Sequence, residues 1–119
     1  MMKLDECRAF LEPALEYSGG THEWEDIAEG VHSTRMQLWA NERGAAITEI
    51  LEYPRKRVLN VFLAGGDMDQ ILEMLDSAKA WGAQQGCDAI MMSGRKGWLR
   101  VLNKHGWQEQ FATMSSQIL

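Results

Sequence analysis

The segment from Arg57 to Met92 constrains the fold more than any other part of this chain. "RVLNVFLA" is apolar at nearly every position, as a strand covered on both faces must be. Gly65-Gly66 breaks it, a long amphipathic pattern follows over about residues 67–86, and "DAIMM" supplies a short apolar strand after Gly86. Two neighbouring strands joined through a helix read as a parallel pair with a right-handed crossover. The rest of the chain has to be arranged round that unit. Its first turn also looks like an anion cradle, because a glycine turn feeding a helix N-terminus brings backbone N–H groups to a phosphate.

The flanking patterns complete an order of α-α-β-β-β-α-β-α-β. Leu4, Cys7, Leu11, Ala14 and Leu15 recur at helical spacing over about residues 3–17, with Pro13 as a complication. Thr21 is placed to cap a second helix, whose stripe is Trp24, Ile27, Ala28 and Val31 and whose start is crowded with acids. "MQLWA" and "AAITEILEY" flank "NERG" as the arms of a β-hairpin. The long helix buries Ile71, Met74, Leu75, Ala78, Trp81 and Gly82. "KGWLRVLNKH" is a helix closed by Gly106, and "WQEQFATMSSQIL" reads as a final strand. The expectation is an α/β fold, with a mixed sheet carrying one parallel crossover and helices on both faces, in a single domain over residues 1–119.

Composition narrows the function classes. No linker, repeat or low-complexity tract divides the 119 residues, and the length suffices for a core without metal or disulfide support. The start turns acidic at once, which argues against a secretory leader, and no run reaches the ~18–20 apolar residues of a membrane span. Cys7 and Cys87 read as reduced thiols, and the expected setting is cytoplasmic. Residues 1–54 carry eleven acids against four bases, and residues 55–119 six against eight. An acidic chain of this kind is disfavoured as a general nucleic-acid binder. Arg55-Lys56-Arg57 and Arg95-Lys96, with Arg100 and Lys104, are solvated charges or a meeting point for one anion.

Little else carries chemistry. His22, His32 and His105 show no metal-binding spacing, and no Gly-x-Ser-x-Gly elbow is present. Glu49 and Glu52 fall on opposite faces of one strand. "SGRKGW" brings Ser93, Arg95 and Lys96 to a second strand-to-helix turn and is the better anion candidate. Trp24, Trp39 and Trp107 are core residues or parts of an apolar surface patch that binds a partner.

The order of elements, with "VLNKHGWQEQF" at the end, resembles the GNAT family of acyl-CoA N-acyltransferases over roughly residues 30–119. Lys104, Gly106 and Trp107 stand where that family keeps its Lys-x-Gly-aromatic tail. "EYSGGTHEWEDIAEGV" and "YPRKRVLNVFLAGGDMDQI" are similar to small GNAT-like proteins of tailed phages and prophages. The resemblance implies acetyl-CoA as cofactor, bound through a pyrophosphate-wrapping Arg/Gln-x-x-Gly-x-Gly/Ala segment between the central strand and the long helix. Here Ala64-Gly65-Gly66 runs directly into Asp67, so that segment is missing. The tyrosine that often protonates the thiolate falls at Leu102, and the glutamate that often serves as base is replaced by Asn60.

Asp67 and Gln70 form a capping-box pattern, and Asp69 adds a second acid to the same turn. Like charges ~4 Å apart repel by about 4 kcal/mol at an effective dielectric of 20, so this helix end is a poor host for a pyrophosphate. Two main expectations follow. The first is a GNAT-like domain without coenzyme or catalytic residues, acting through a protein partner of phage or host, virion-associated or cytoplasmic, with a homo-oligomer compatible. The second is an active N-acetyltransferase holding acetyl-CoA through Leu63, Gly65, Gly66, Ser93 and Arg95. A nucleic-acid accessory role through Arg55–Arg57 is a third.

Overall fold

Eight elements follow one another in a computed structural model that describes residues 3–118. They are α1 (Leu4–Leu15), α2 (Trp24–His32), β1 (Met36–Asn41), β2 (Gly44–Tyr53), β3 (Lys56–Gly66), α3 (Met68–Gln84), β4 (Ala89–Met92) and α4 (Lys96–Asn103). The residues at the chain start, Met1-Met2, and the last residue of the expected closing strand, Leu119, lie outside the described residues.

The strands lie in the order β1-β2-β3-β4. β1, β2 and β3 are antiparallel neighbours, and β4 is parallel to β3, with Val58 opposite Ala89 and Val61 opposite Met92. The parallel crossover is therefore as the apolar pattern of residues 57–92 requires, and the hairpin before it makes the sheet mixed. Between β2 and β3 the register slips: Ile47 faces Leu63, while Thr48 faces Val61. Phe62 is the extra residue, a β-bulge in the central strand.

Helices cover both faces. On one, Cys7 and Leu11 of α1 and Trp24 and Ile27 of α2 pack on Met36, Ala45, Ile47 and Leu63. On the other, Ile71 and Leu75 of α3 and Leu102 of α4 pack on Val61, with Ile90, Met92 and Trp98 half-buried around them. Thr48 is fully buried yet satisfied, because its hydroxyl accepts from Trp39 Nε1 at 2.9 Å and donates to Gln37 Oε1 at 2.8 Å. Trp39 meets Trp81 of α3 edge to face. Trp24, Trp39 and Trp107 belong to three different packing regions, so they form no common surface patch.

Three local features differ from what the sequence predicts. Thr21 does not cap α2: its hydroxyl donates to Ser18 O, and α2 starts after Glu23, whose N–H donates to Asp26 at 2.8 Å. Two positive-φ glycines, Gly19 and Gly20, let the chain turn before that helix, which moves the cap two residues on. Gln70 does not reach back to its helix cap, because its side chain accepts from Asn41 Nδ2 at 2.7 Å instead. The final strand does not form. Gly106 closes α4 at φ +88°, Trp107 N–H donates to Leu102 O, and residues 108–118 are exposed and unpaired with any described strand. A strand needs both a partner edge and a covered face, and residues 108–118 take up neither among the described residues.

Among the described residues no helix is long and apolar enough to cross a membrane, and no cluster of His, Cys, Asp and Glu could hold a metal ion. Cys7 and Cys87 are free thiols on opposite sides of the sheet.

Candidate functional site: the splay between β3 and β4

The parallel pairing of β3 and β4 ends at Val61 and Met92. Beyond that point β3 continues through Phe62, Leu63, Ala64, Gly65 and Gly66, while the chain after β4 turns away through Ser93 and Gly94 into α4. The bulge at Phe62 coincides with the last paired residues, so the strands part where the ladder is already disrupted. Such an opening beyond the carboxyl ends of parallel strands is where α/β sheets place ligands.

Side chains from the α1–α2 connection contact residues on both sides of this opening, Phe62 of β3 and Arg95 after β4. Phe62 is half-buried, and His22 tilts against it with ring centroids 4.5 Å apart. On the β4 side the Arg95 guanidinium lies 4.3 Å from the centroid of the Tyr17 ring, a cation–π contact joining the strand-to-helix loop to the end of α1. Trp98 packs over Gly94, where an added Cβ would come within 3.1 Å of the indole.

The sequence-identified residues separate here into two groups. Leu63 is a core residue beneath α1 and α2, although its backbone belongs to the wall of the opening. Gly65 faces α1 so closely that a Cβ would stand 2.0 Å from the Phe10 carbonyl oxygen. Gly66 adopts φ +113°, and its Cβ would stand 2.5 Å from both Arg43 O and Gly44 Cα. Both glycines are thus accounted for by close packing of protein backbone. Ser93 and Arg95 are exposed on the opposite lip. Arg95-Lys96 follows the carboxyl end of β4, whereas Arg55-Lys56-Arg57 sits where β3 begins, so the two basic groups lie at opposite ends of the sheet and do not meet one anion.

The N-terminus of α3 is occupied by the protein itself. Asp67 N–H donates to Arg43 O at 2.8 Å, and the Asp67 carboxylate accepts from Asp69 N–H at 3.0 Å and is ion-paired with Arg43. Asn41 and Gln70 add a second link between the β1–β2 turn and the same helix turn. A diphosphate brought here would face the Asp67 and Asp69 carboxylates and compete for Arg43. These residues do not fit the pyrophosphate of coenzyme A.

The other positions that the GNAT resemblance marks carry no proton-transfer chemistry of their own. Leu102 is buried between α3 and α4, and Asn60 donates its amide to Glu49 Oε1 at 3.2 Å across β2 and β3. Glu49, which spacing separates from Glu52, meets Asn60 instead. Its partner stands eleven residues on, set by the register of the β2–β3 hairpin. Burial first, and the neighbouring Glu6 second, push the Cys7 thiol above its usual range, so it is a packing residue and no nucleophile.

No family model and no curated protein matches this chain. Solved structures do. An aminoglycoside acetyltransferase from an uncultured soil metagenomic sample, determined with trehalose and with sisomicin, is similar at TM-score 0.66 and 10% identity over 97% of this chain and 88% of that one. A probable acetyltransferase matches at TM-score 0.65 and 13% identity, covering 99% and 95%. A Trypanosoma brucei acetyltransferase matches at TM-score 0.56 and 14% identity, covering 93% and 94%. At these identities the likeness establishes a GNAT-like fold and nothing about chemistry.

Proposed function

We propose that this chain is a GNAT-like domain of phage or prophage type that does not turn over coenzyme A and works by contacting a protein of the phage or its host. The observation that carries this reading is the N-terminus of α3, where Asp67, held by Arg43, fills the place at which a coenzyme pyrophosphate would need free N–H groups. Its setting is the host cytoplasm or the virion, supported by the likeness of residues 16–31 and 53–71 to small phage and prophage proteins. Isothermal calorimetry with acetyl-CoA tests it. No heat is expected, even at low salt, where phosphate contacts are strongest.

A second reading has its own supporting observation, the bulge at Phe62 beside the parted strands. On that reading the domain is an acetyltransferase with a shortened pyrophosphate loop. It would hold acetyl-CoA through backbone groups near Leu63 and Gly65, with Ser93 and Arg95 on the opposite lip. A micromolar, salt-sensitive heat that Arg95→Ala removes would establish it and defeat the first. Protein–nucleic-acid contact through Arg55–Arg57 remains the third reading, and an absent gel shift at low salt would dismiss it.

A further inference from the structure

The outer face of α4 is basic and unpaired. Residues 89–108 carry Arg95, Lys96, Arg100 and Lys104 and no acid, whereas the other residues carry eight bases against seventeen acids. The ion pairs among the described residues take Arg8, Arg35, Arg43 and Arg57, and Arg95 lies on the Tyr17 ring. Lys96, Arg100 and Lys104 are exposed at four-residue spacing, so they form one stripe, and no described acid pairs with them. α1 presents the complement on the other side of the sheet. Asp5, Glu12 and Glu16 are exposed along a shallow depression floored by Ala9 and Pro13. Arg8 is held there by Glu12 Oε2 and lies 5.1 Å from the centroid of the Trp24 ring, which leaves Glu12 Oε1 to accept another donor.

We infer that α4 of one copy lies along α1 of another, base stripe on acid stripe. At ~1.5 Å per residue the bases span roughly 12 Å and the acids roughly 16 Å, so the three bases meet the three acids in one register. Because the two faces differ, the contact is head to tail, and every pair keeps one free α1 and one free α4. Association therefore continues past a dimer.

The occupant is a second copy because the acids that fit α4 are on the chain itself. α1 packs on one face of the sheet and α4 on the other, so a single molecule cannot bring them together. A nucleic acid approaching α4 would meet the acid surplus of the remaining surface, with a phosphate charge every ~1.7 Å of duplex, and an anionic membrane would meet it over a wide area. A second copy carries its acids at far lower density and offers three of them at a matching spacing. The contact is two helix faces, well below the ~1,600 Å² of a standard interface, so it is weak and forms at high concentration and low salt. This inference does not depend on whether coenzyme A binds.

Sedimentation of the full chain over a concentration series, at low and at high salt, tests it. At low salt the average mass should rise past that of a dimer, and at high salt it should return to the monomer. Reversing α4 with Lys96→Glu and Arg100→Glu should weaken association at least about tenfold, since two attractions become repulsions. Reversing α1 with Glu12→Lys and Glu16→Lys should do the same. All four positions are exposed, so both variants should melt close to wild type by circular dichroism. The chain carrying all four substitutions has its stripes exchanged in sign and should regain association to within about threefold of wild type, a recovery that neither lost folding nor altered net charge alone would produce. A chain monomeric at every concentration in low salt, association indifferent to either reversal, no recovery in the fourfold variant, or a dimer that grows no further would each overturn the inference.

Discussion

Gly65 and Gly66 carry the clearest lesson at the scale of single residues. A glycine pair at the end of an apolar strand suggests a phosphate loop, yet each glycine is required by a backbone approach inside the protein. Gly65→Ala is expected to cost about 3 kcal/mol, because the Phe10 carbonyl must move away, and urea unfolding at equilibrium would measure it. Asp67→Ala should cost about 1 kcal/mol, an N-cap's usual worth, with little added by the exposed Arg43. Asp67→Asn should keep most of that cap, and a result equal to alanine would place the stability in the ion pair. Native-state alkylation should modify Cys87 well before Cys7, since Cys7 is fully buried and its thiolate is disfavoured by that burial. The sign of the Cys7 shift carries a pH dependence. The unfolded chain loses the thiol proton first, so stability should fall as pH rises past the ordinary cysteine range. Cys7→Ala should flatten that fall in a urea series at increasing pH.

Elements were more legible than their connections. The 3.6-residue stripe of α3 and the alternation of β1 and β2 are local, and they survive in the fold within a residue or two. The pairing of Asn41 with Gln70 joins segments 29 residues apart, which no local pattern contains, whereas that of Glu49 with Asn60 is set by the register within one hairpin. The Gln37–Thr48–Trp39 chain is of this kind, joining β1 to β2 beneath α3. Thr48→Val removes its shared hydroxyl and leaves two polar groups unpaired in a buried place. A loss of about 2 kcal/mol in urea unfolding is expected. The tail after Gly106 is the opposite case. Its composition reads as a strand with a mixed outer face, but a strand exists only where another edge receives it.

For the whole molecule, β3 and β4 part at the kind of place where α/β sheets put ligands, and the α1–α2 connection contacts a residue on each side, Phe62 and Arg95. If Tyr17 and Arg95 hold that connection to the β4 lip, their coupling should be measurable. A double-mutant cycle of Tyr17→Ala and Arg95→Ala is expected to give about 0.5–1 kcal/mol, as for a solvent-exposed cation–π pair. A coupling near zero would show that the connection is not fastened there. Neither substitution touches the packing of α3 on the sheet, so the midpoint of global unfolding should move little.

The apolar run of residues 57–64, the helical stripe that follows and the apolar strand after it determined a parallel crossover, and the hairpin and helical stripes before them a mixed sheet with helices on both sides. Burying those stripes leaves few other arrangements. The tertiary structure alone decided what the Gly-Gly turn is for. Whether a helix end is open to an anion depends on which distant residues reach it, and here Phe10, Asn41 and Arg43 arrive from α1 and the β1–β2 turn. The same holds for the tail, whose pattern is local but whose partner edge is not.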